Sequence, residues 1–433
     1  MNILVVGSGA REHAILRALN KENTHKLFSI GANPGIADLA ENASELLQAD
    51  IAETDGKKIA EACLKLDVDL AIIGPEAPLA AGVVDDIRLS APSVAVFGPS
   101  KSAAQLESSK SFAKEVMESA GVPTGAAIKC TKMSELVKTL NADSSGNPYV
   151  VKADGLAAGK GVIVTDKKSE AEAHASAIFH SGGFVIVEEY LDGPEFSQFF
   201  ICDGTTALAL EPAQDFKRIF DGDKGSNTGG MGAYTPLGWL PDGSTKWCTE
   251  NIAQKVVDEM AARGTPFVGI LFAGLVLTKG GVKVIEFNVR FGDPETQVVL
   301  ERLKTPLAPL LLAASKGELV KDTHLQWSSD YYCNVVLASR GYPESSSKGD
   351  VITGVTAASS KGAIILQAGT KYADSDIGQI ETNGGRVLSV VGKGDTLKLA
   401  RQRAYNYVKM IHFDGMQFRD DIALKAEKGE IGT

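Results

Sequence analysis

The sequence predicts an α/β protein, α+β in part, built from more than one domain. Its 433 residues exceed the size of one ordinary hydrophobic core, so we expect two to four domains. Over the first hundred residues, short β-branched runs alternate with helical stretches, which is the pattern of a parallel sheet with crossover helices. Later β-branched runs are predicted as strands of further sheets, joined by glycine-rich loops.

Composition and charge exclude several classes of protein. Apolar residues make up 44% and charged residues 23%, as in ordinary globular proteins, and the net charge is −10. An acidic chain without long Lys/Arg runs argues against a nucleic-acid binder, although phosphate ligands need only local cations. The five cysteines are scattered singly and the six histidines lack zinc-type spacing, which favours a cytoplasmic protein. We recognise no signal peptide and no apolar run long enough to span a bilayer, so no membrane partner is expected.

The N-terminal domain is expected to span residues 1–102. Strands are predicted at 3–6, 27–30, 70–73 and 94–97, and helices through 19, at 57–65 and at 80–89. The first strand leads into Gly7-Ser8-Gly9, a βα turn of the kind that binds phosphate, but Glu12 stands where a dinucleotide fingerprint needs glycine. A doubly wound domain with a tight first turn and no dinucleotide is therefore favoured over a nicotinamide-dependent dehydrogenase.

The most informative stretch of the central region is 149–164. It is predicted as a strand, a glycine loop and a second strand. The loop and its edges carry three glycines and two lysines: Gly155, Gly159, Gly161, Lys152 and Lys160. Glycines let backbone N–H groups approach an anion, and lysines supply point charges for phosphate. The spacing is not that of a Walker loop, and taken alone the stretch also suits a mobile hairpin.

Charged residues near other predicted element ends extend the candidate site. Lys110 lies at the start of a helix that Gly121 stops, and the strand 184–187 leads into Glu188 and Glu189. Such paired carboxylates suit ribose hydroxyls or an adenine amino group, or else form a charged turn. Further strands are predicted at 196–202, 207–211 and 269–277, and helices at 169–179 and 245–263. A polar, glycine-rich stretch at 214–233 is of the kind that is either functional or disordered.

A second informative stretch, 283–296, is predicted as a strand running into Gly292 and Asp293. Alternate residues of a strand share a face, so Glu286, Asn288 and Arg290 are expected on one side. Ile285, Phe287 and Val289 are expected on the other side. A carboxylate beside an amide oxygen suits Mg²⁺, and an adjacent arginine suits phosphate or carboxylate oxygens. Simple exposure of one strand face explains the alternation, but not this row of acid, amide and base.

Residues 327–433 are expected to form a separate, small α+β piece. Strands are predicted at 332–337, 363–368 and 385–391, followed by an amphipathic helix at 396–411. No catalytic constellation is recognised in this part of the sequence.

These stretches together resemble the ATP-grasp superfamily and, more closely, the phosphoribosylamine–glycine ligases. The resemblance covers nearly the whole chain and rests on VVGSGAREHA, GPEAPL, KADGLAAGKGV, EEYLDGPE, NTGGMGAY, IEFNVRFGDPETQ and GGRVL. It implies an N-terminal pre-ATP-grasp domain at 1–102, a two-lobed ATP-grasp region at 103–326 with a small lobe near 124–192, and a C-terminal domain at 327–433. It also implies ligation of glycine to 5-phosphoribosylamine with ATP, in purine biosynthesis.

The resemblance implies roles for individual residues. ATP is expected at Lys110, Lys152, Gly155, Gly159, Lys160, Gly161, Glu188, Leu191 and Glu195. The substrates are expected at Gly9, Glu12, Asn33, Gly35, Pro75, Glu76, Asp215, Asn227, Gly230, Arg290, Gly292 and Asp293. Lys152, Arg290 and Asp215 are the expected catalytic residues. Mg²⁺ or Mn²⁺ is expected at Glu286 and Asn288, and the assembly is expected to be a monomer or a small homo-oligomer.

Three positions depart from the family pattern. Phe216 stands where histidine is usual, Ser226 where proline is frequent, and Ser108 where glycine is frequent. A phenylalanine cannot make the hydrogen bonds of a histidine, so a role carried by that side chain does not transfer. Two alternatives to the ligase remain from sequence: another ADP-forming ATP-grasp ligase or carboxylase, and a nucleotide sensor without turnover.

Overall fold

The computed structural model describes residues 1–155, 161–373 and 378–432. The first hundred residues form a five-stranded parallel sheet in the order β3-β2-β1-β4-β5. Its strands are β1 (Asn2–Val6), β2 (Lys26–Ile30), β3 (Glu41–Asn42), β4 (Leu70–Ile73) and β5 (Ala95–Phe97). Its helices are α1 (Ala10–Asn20), α2 (Pro34–Ala37), α3 (Ala43–Leu46), α4 (Gly56–Lys65), α5 (Glu76–Ala81) and α6 (Val83–Ser90). The helix expected at 80–89 is two helices, because Gly82 adopts a left-handed φ of +99° between them.

The central region begins with two helices and a small antiparallel sheet in the order β6-β9-β7-β8. Its elements are α7 (Gln105–Ser108), α8 (Lys110–Ala120), β6 (Ala127–Cys130), α9 (Met133–Ala142), β7 (Tyr149–Ala153), β8 (Val162–Thr165), α10 (Lys168–His180) and β9 (Val185–Glu188). Helices α9 and α10 cover this sheet and share with it a separate apolar cluster that includes Leu136, Val151 and Val185. A lobe with a core of its own can be positioned independently of the main sheet.

The larger part of the central region is built on a second antiparallel sheet, in the order β11-β10-β16-β17. Its strands and those that follow are β10 (Glu195–Asp203), β11 (Ala207–Ala209), β12 (Gln214–Asp215), β13 (Arg218–Phe220), β14 (Lys224–Asn227), β15 (Gly232–Thr235), β16 (Val268–Thr278) and β17 (Gly281–Asn288). The helices are α11 (Ser244–Cys248), α12 (Gln254–Ala262), α13 (Thr296–Arg302) and α14 (Leu307–Lys316), with a π-helical turn at Thr249–Ala253 joining the first two.

The C-terminal part contributes three strands to a third antiparallel sheet, in the order β12-β15-β18-β23-β20. Its elements are β18 (Tyr331–Ala338), β19 (Val351–Ile352), α15 (Val355–Ser360), β20 (Ile364–Gln367), β21 (Thr370–Tyr372), β22 (Ile380–Thr382), β23 (Arg386–Gly394), α16 (Leu397–Val408) and α17 (Leu424–Glu427). Strands β12 and β15 come from the central region, so residues 327–433 share this sheet with it.

The predicted strands and helices recur in the structure, with bounds shifted by a few residues. The amphipathic C-terminal helix buries Ala400, Ala404 and Val408 as expected, and Thr396 caps its first turn. Among the described residues, no helix has the length and apolar character needed to cross a membrane. The predicted domain boundaries at 102/103 and 326/327 stay predictions.

Candidate active site

Two of the predicted phosphate-binding lysines lie between the small lobe and the main sheet. Lys110 begins α8, and its ammonium group donates to the carbonyl of Gly155, 3.0 Å away. Lys152, near the end of β7, donates to the carbonyl of Ile285 at 3.2 Å and pairs with Glu188 at 3.0 Å. Burial lowers the pKa of Lys110, while the charge of Glu286 opposes this effect. The two ammonium groups are thus fixed where the lobes meet.

The start of α8 is tied to the end of β7 by hydrogen bonds. Ser109 caps the helix by accepting from the backbone N–H of Phe112, and its hydroxyl donates to Asp154 at 3.2 Å. The backbone N–H and hydroxyl of Ser111 also donate to Asp154, at 3.2 and 3.0 Å. Gly155 follows with a φ of +104°, a conformation that favours glycine. Lys110 therefore lies beside Gly155 because the helix cap and the strand end share one carboxylate.

A β-bulge in β17 determines which side chains face the cleft. Gly274 pairs with Glu286 and the next residue, Leu275, pairs with Val284, so Ile285 has no partner opposite it. The extra residue shifts the alternation of the strand by one: before the bulge the buried residues have even numbers, such as Val284, and after it they have odd numbers, such as Phe287. Without it, Glu286 would lie on the same face as Val284. The prediction that Ile285 shares a face with Phe287 and Val289 is wrong for this reason, because Phe287 and Val289 are buried and Ile285 is not.

A cluster of carboxylates surrounds Lys217 at the edge of the cleft. Lys217 pairs with Glu195 at 2.7 Å and lies 3.8 Å from Asp215. Burial lowers the pKa of Lys217, but the charges of Asp215, Glu195 and Glu286 outweigh it and hold that pKa well above its ordinary value. Burial raises the pKa of Asp215, with Lys217 opposing the shift. The predicted residues Asp215, Glu195 and Glu286 are thus brought together by a lysine that the sequence analysis did not select.

Glu295 is a second residue that the sequence analysis missed. Its side chain is 3% exposed and accepts a hydrogen bond from Ser197 at 2.9 Å. Burial, and then the charge of Asp215, raise the pKa of Glu295 to about 7. Glu295 follows the predicted residues Gly292 and Asp293 in FGDPET, so its position in that motif was an available signal.

Arg290 connects the main sheet to the N-terminal domain. It lies beyond the end of β17, and its guanidinium contacts Glu76 at 3.2 Å and Glu107 at 3.4 Å. Burial lowers the pKa of Arg290, but these two carboxylates outweigh it and the net shift is upward. The structure therefore brings Arg290 and Glu76 together, as two of the expected substrate residues.

The first turn of the N-terminal domain is filled by its own carboxylate. The backbone N–H of Gly9 donates to Glu12 at 2.8 Å, and the side chain of Glu12 is 1% exposed. A Cβ atom added at Gly7 or Gly74 would lie within 2.6 or 2.1 Å of Glu12 atoms. Glu12 thus occupies the space above the turn where a phosphate would otherwise lie, which favours the interpretation without a dinucleotide.

The expected substrate residues of the second turn contact the C-terminal part. Asn33 caps α2 and donates to the carbonyls of Ser8 and Gln367, at 2.8 and 2.9 Å. His13 accepts from the backbone N–H of Gln367 through Nδ1 at 2.9 Å, and a Cβ at Gly35 would meet its ring. Gln367, the last residue of β20, therefore holds both N-terminal turns against that strand.

Arg386 holds the last group of expected substrate residues in place. Its guanidinium donates to the carbonyls of Gly229 and Asp293, at 2.6 and 2.8 Å, and pairs with the Asp293 carboxylate at 3.2 Å. It also donates to the carbonyl of Gly230 at 3.4 Å. No catalytic group was expected in the C-terminal part of the sequence, although its GGRVL motif contains this arginine.

The remaining predicted residues, as far as the structure describes them, make none of the contacts reported above. Pro75 precedes α5, Leu191 lies beside Gly125, and Asn227 ends β14 opposite Arg218. Gly161 accepts at its carbonyl from Ala153 and contacts the ring of His174. Gly159 and Lys160 lie outside the described residues. Phe216, at a position that departs from the family pattern, packs beneath the guanidinium of Arg419, 5.1 Å from its ring centre.

Glu286 and Asn288 offer a carboxylate and an amide oxygen, which are hard ligands of the kind that Mg²⁺ or Mn²⁺ prefers. Within the described residues, no group of three histidine, cysteine or acidic side chains is arranged to hold a metal ion. Mg²⁺ commonly binds through one or two carboxylates together with water and nucleotide phosphates. The two residues therefore fit an ion that is held jointly with a nucleotide.

Family models cover most of the chain. The N domain, the ATP-grasp (A) domain and the C domain of phosphoribosylglycinamide synthetase match residues 1–107, 108–296 and 332–425. A biotin carboxylase domain from Hydrogenobacter thermophilus, in complex with MgADP, ADP and bicarbonate, has a TM-score of 0.68 at 16% identity, covers 100% of this chain and 96% of its own, and shows the shared fold. The fold and the cleft between its lobes define an ATP-grasp enzyme, a class that uses ATP.

Relatives with closer sequences identify the family. A phosphoribosylamine–glycine ligase of Streptomyces coelicolor is 50% identical over 98% of this chain and 99% of its own length. One from Leifsonia xyli is 48% identical over 98% of this chain and its full length. The crystal structure of the ligase from Thermotoga maritima has a TM-score of 0.80 at 32% identity, covering 98% of this chain and all of that one. The chain belongs to the phosphoribosylamine–glycine ligase family.

Proposed function

We propose that this protein ligates glycine to 5-phospho-D-ribosylamine, converting ATP to ADP and phosphate and giving glycinamide ribonucleotide, in de novo purine biosynthesis. The name of the relatives supports the substrates. The observation that carries the proposal is the contact of Lys152 with Ile285, in the bulged part of β17 that bears Glu286 and Asn288, with Lys110 close enough for the charge of Glu286 to act on its pKa. Cations and hard oxygen ligands at one point suit the polyphosphate of a nucleotide.

The reaction proceeds through glycyl phosphate. A glycine carboxylate oxygen attacks the γ-phosphorus of ATP, the bond to the β,γ-bridging oxygen breaks, and ADP leaves. The amine nitrogen of phosphoribosylamine then attacks the acyl carbon, loses a proton, and expels phosphate. The sequence has no GxSxG elbow and no cysteine paired with histidine in a nucleophile motif, so an acyl phosphate is favoured over a covalent enzyme intermediate.

Residues of the cleft position the reactants. Lys110 and Lys152 bind the phosphates, and their positive charges stabilise the negative charge that develops on the leaving ADP. A divalent ion at Glu286 and Asn288 would neutralise phosphate charge further. The charge of Asp215 raises the pKa of Glu295, and a cationic glycine ammonium group between the two carboxylates would relieve that repulsion.

The remaining assignments belong to the same proposal. The nucleotide extends along Gly155, Gly161, Glu188, Leu191 and Glu195, beneath the small lobe. Arg290 binds the glycine carboxylate or its phosphate. Phosphoribosylamine is bound by the N-terminal turns and by the segment around Asn227, Gly230 and Asp293. We expect the protein to act in the cytoplasm as a monomer or a small homo-oligomer, with domains at 1–102, 103–326 and 327–433.

Oxygen transfer tests this chemistry. The purified protein is supplied with ATP, Mg²⁺, freshly prepared phosphoribosylamine and glycine labelled with ¹⁸O in its carboxylate. One labelled oxygen is expected in each phosphate released, with ADP and glycinamide ribonucleotide as the other products. Unlabelled phosphate, or AMP and pyrophosphate, would contradict the mechanism. ADP formed with another acid or amine but not with this pair would identify a different ADP-forming ATP-grasp ligase.

A further inference from the structure

One carboxylate oxygen between the lobes is shared by two lysines. Glu188 Oε2 lies 3.0 Å from Lys152 Nζ and 3.2 Å from Lys114 Nζ. The three side chains are 6%, 5% and 13% exposed, so water screens their charges little. One cation would be enough to neutralise Glu188, and the group therefore carries one surplus positive charge.

Lys114 has two hydrogen-bond partners in addition to its carboxylate partner Glu188. Besides Glu188, it donates to the hydroxyl of Thr124 at 2.9 Å and to the carbonyl of Gly125 at 3.2 Å. An ammonium group has three donors, and these three acceptors use all of them. The hydroxyl of Thr124 donates in turn to the carbonyl of Val284 at 2.7 Å, which ties this point to β17. Lys114 is therefore fixed at the junction of the lobes.

Lys152 has a different set of contacts. It donates to the carbonyl of Ile285, beside the proposed metal ligands, and to Glu188. A nucleotide phosphate that binds Lys152 must compete with the carboxylate already paired with it. If Glu188 had no other cation, withdrawing Lys152 would leave a buried, unpaired carboxylate, which is strongly unfavourable. Lys114 removes that penalty because it remains on the same oxygen.

We propose that Lys114 is a positioning residue of the nucleotide site, which keeps Glu188 neutralised so that the charge of Lys152 acts on the phosphates. The inference rests on the proposed ATP site and assigns Lys114 no contact with ATP itself. It also explains why the surplus positive charge is buried: the nucleotide supplies the missing negative charge. Lys114 lies one helical turn after Lys110 on α8, so one helix face provides both a phosphate ligand and the support for another.

The test measures nucleotide affinity directly. Isothermal titration calorimetry gives the Kd of a non-hydrolysable ATP analogue with Mg²⁺ for the wild type, Lys114→Met and Lys114→Arg. We expect Lys114→Met to weaken binding by about tenfold or more, and Lys114→Arg to restore most of it, since loss of one buried partner leaves the other charge unpaired. Lys255→Met is the control: Lys255 makes an exposed hydrogen bond of 3.3 Å to the carbonyl of Gly121, just beyond the same helix.

Steady-state kinetics and a double-mutant cycle separate this role from general support of the fold. In Lys114→Met, the KM for ATP should rise while the KM values for glycine and phosphoribosylamine stay within about twofold, because the effect acts through Glu188 and Lys152. In a Glu188→Gln background, Lys114→Met should add less than about a twofold loss of analogue affinity. Should Lys114→Met fail to fold, Lys114→Gln takes its place with the same expectations.

Two results would overturn the proposal. One is an analogue Kd unchanged by loss of the Lys114 charge in a folded variant. The other is a full additional loss in the Glu188→Gln background, which would mean that Lys114 acts independently of Glu188. The calorimetric measurement needs neither glycine nor phosphoribosylamine. Failure of the proposed ligation would therefore show in the wild-type product assay, and failure of the Lys114 proposal in the binding data.

Discussion

His13 should make the stability of the protein depend on pH in the weakly acidic range. The ring lies between α1 and β20, and its Nδ1 accepts from the backbone N–H of Gln367 at 2.9 Å. Burial, and then the charge of Arg17, lower the pKa of His13 from 6.5 to about 4, while the charge of Glu301 opposes the shift. The folded protein therefore keeps this imidazole neutral where the unfolded chain protonates it.

The sign and size of the effect follow from linkage. Because the folded-state pKa is depressed, the stabilisation is fully present above pH 6.5 and is lost as the pH falls from 6.5 to about 4. At about 1.4 kcal/mol for each pKa unit, the complete loss is roughly 3 kcal/mol, and roughly 2 kcal/mol of it is already lost by pH 5. Carboxylates add their own pH dependence, so the contribution of His13 must be measured as a difference between proteins.

The assay compares urea unfolding of the wild type and His13→Asn at pH 7.5 and pH 5. Asparagine places an acceptor near the position of Nδ1 but does not titrate. The wild type should lose roughly 2 kcal/mol more than His13→Asn between the two pH values. His180→Gln, at the exposed end of α10, controls for the removal of a histidine. Equal pH dependence of the wild type and His13→Asn would refute the reasoning.

Two further predictions concern the cleft. Lys152→Ala should lose about a hundredfold or more in kcat/KM, because a preorganised charge at a transferring phosphate contributes a few kcal/mol, whereas Lys167→Ala, at an exposed pair with Glu170, should retain its activity. Comparable losses in the two variants would place the phosphate clamp elsewhere. Glu286→Ala and Asn288→Ala should each raise the Mg²⁺ concentration needed for half-maximal turnover and lower the maximal rate, with circular dichroism unchanged. Mg²⁺ titrations that coincide with the wild type would remove these residues from the metal site.

The sequence predicted the fold well where local pattern determines structure. Buried runs such as Ile3–Val6 and Leu70–Ile73 formed parallel strands, and Gly121 ended α8 in a left-handed conformation. The sequence did not predict the structure where strands that are distant in the chain pair with one another. Strands β12 and β15 lie about a hundred residues before β18 in the chain, yet they join its sheet, and no periodicity in residues 327–433 indicates such partners.

The candidate site was predicted in part for the same reason. Motif and face identified Lys152, Glu286 and Asn288, because glycine loops and strand alternation are visible locally. The bulge at Ile285 could not be predicted, since it depends on how β17 pairs with β16. Missed residues such as Lys217 and Arg386 act through partners distant in sequence, Glu195 and Asp293. The role of such a charged residue can be assigned only when the structure shows which residue it contacts.

That dependence explains how a chain with a net charge of −10 can bind a polyanion. Its relevant cations are each held on a carboxylate inside the cleft: Lys152 on Glu188, Lys217 on Glu195, and Arg290 on Glu76 and Glu107. Each pair fixes its cation, and at Lys152 and Arg290, which are largely buried, it also limits the cost of burial before substrate arrives. In the proposed function, a nucleotide phosphate would find cations already in position, and its binding would depend on how readily each carboxylate is neutralised by another group. At Glu188 a second lysine, Lys114, is present to do so, and this is why the Lys114 proposal makes nucleotide affinity depend on the charge of that lysine.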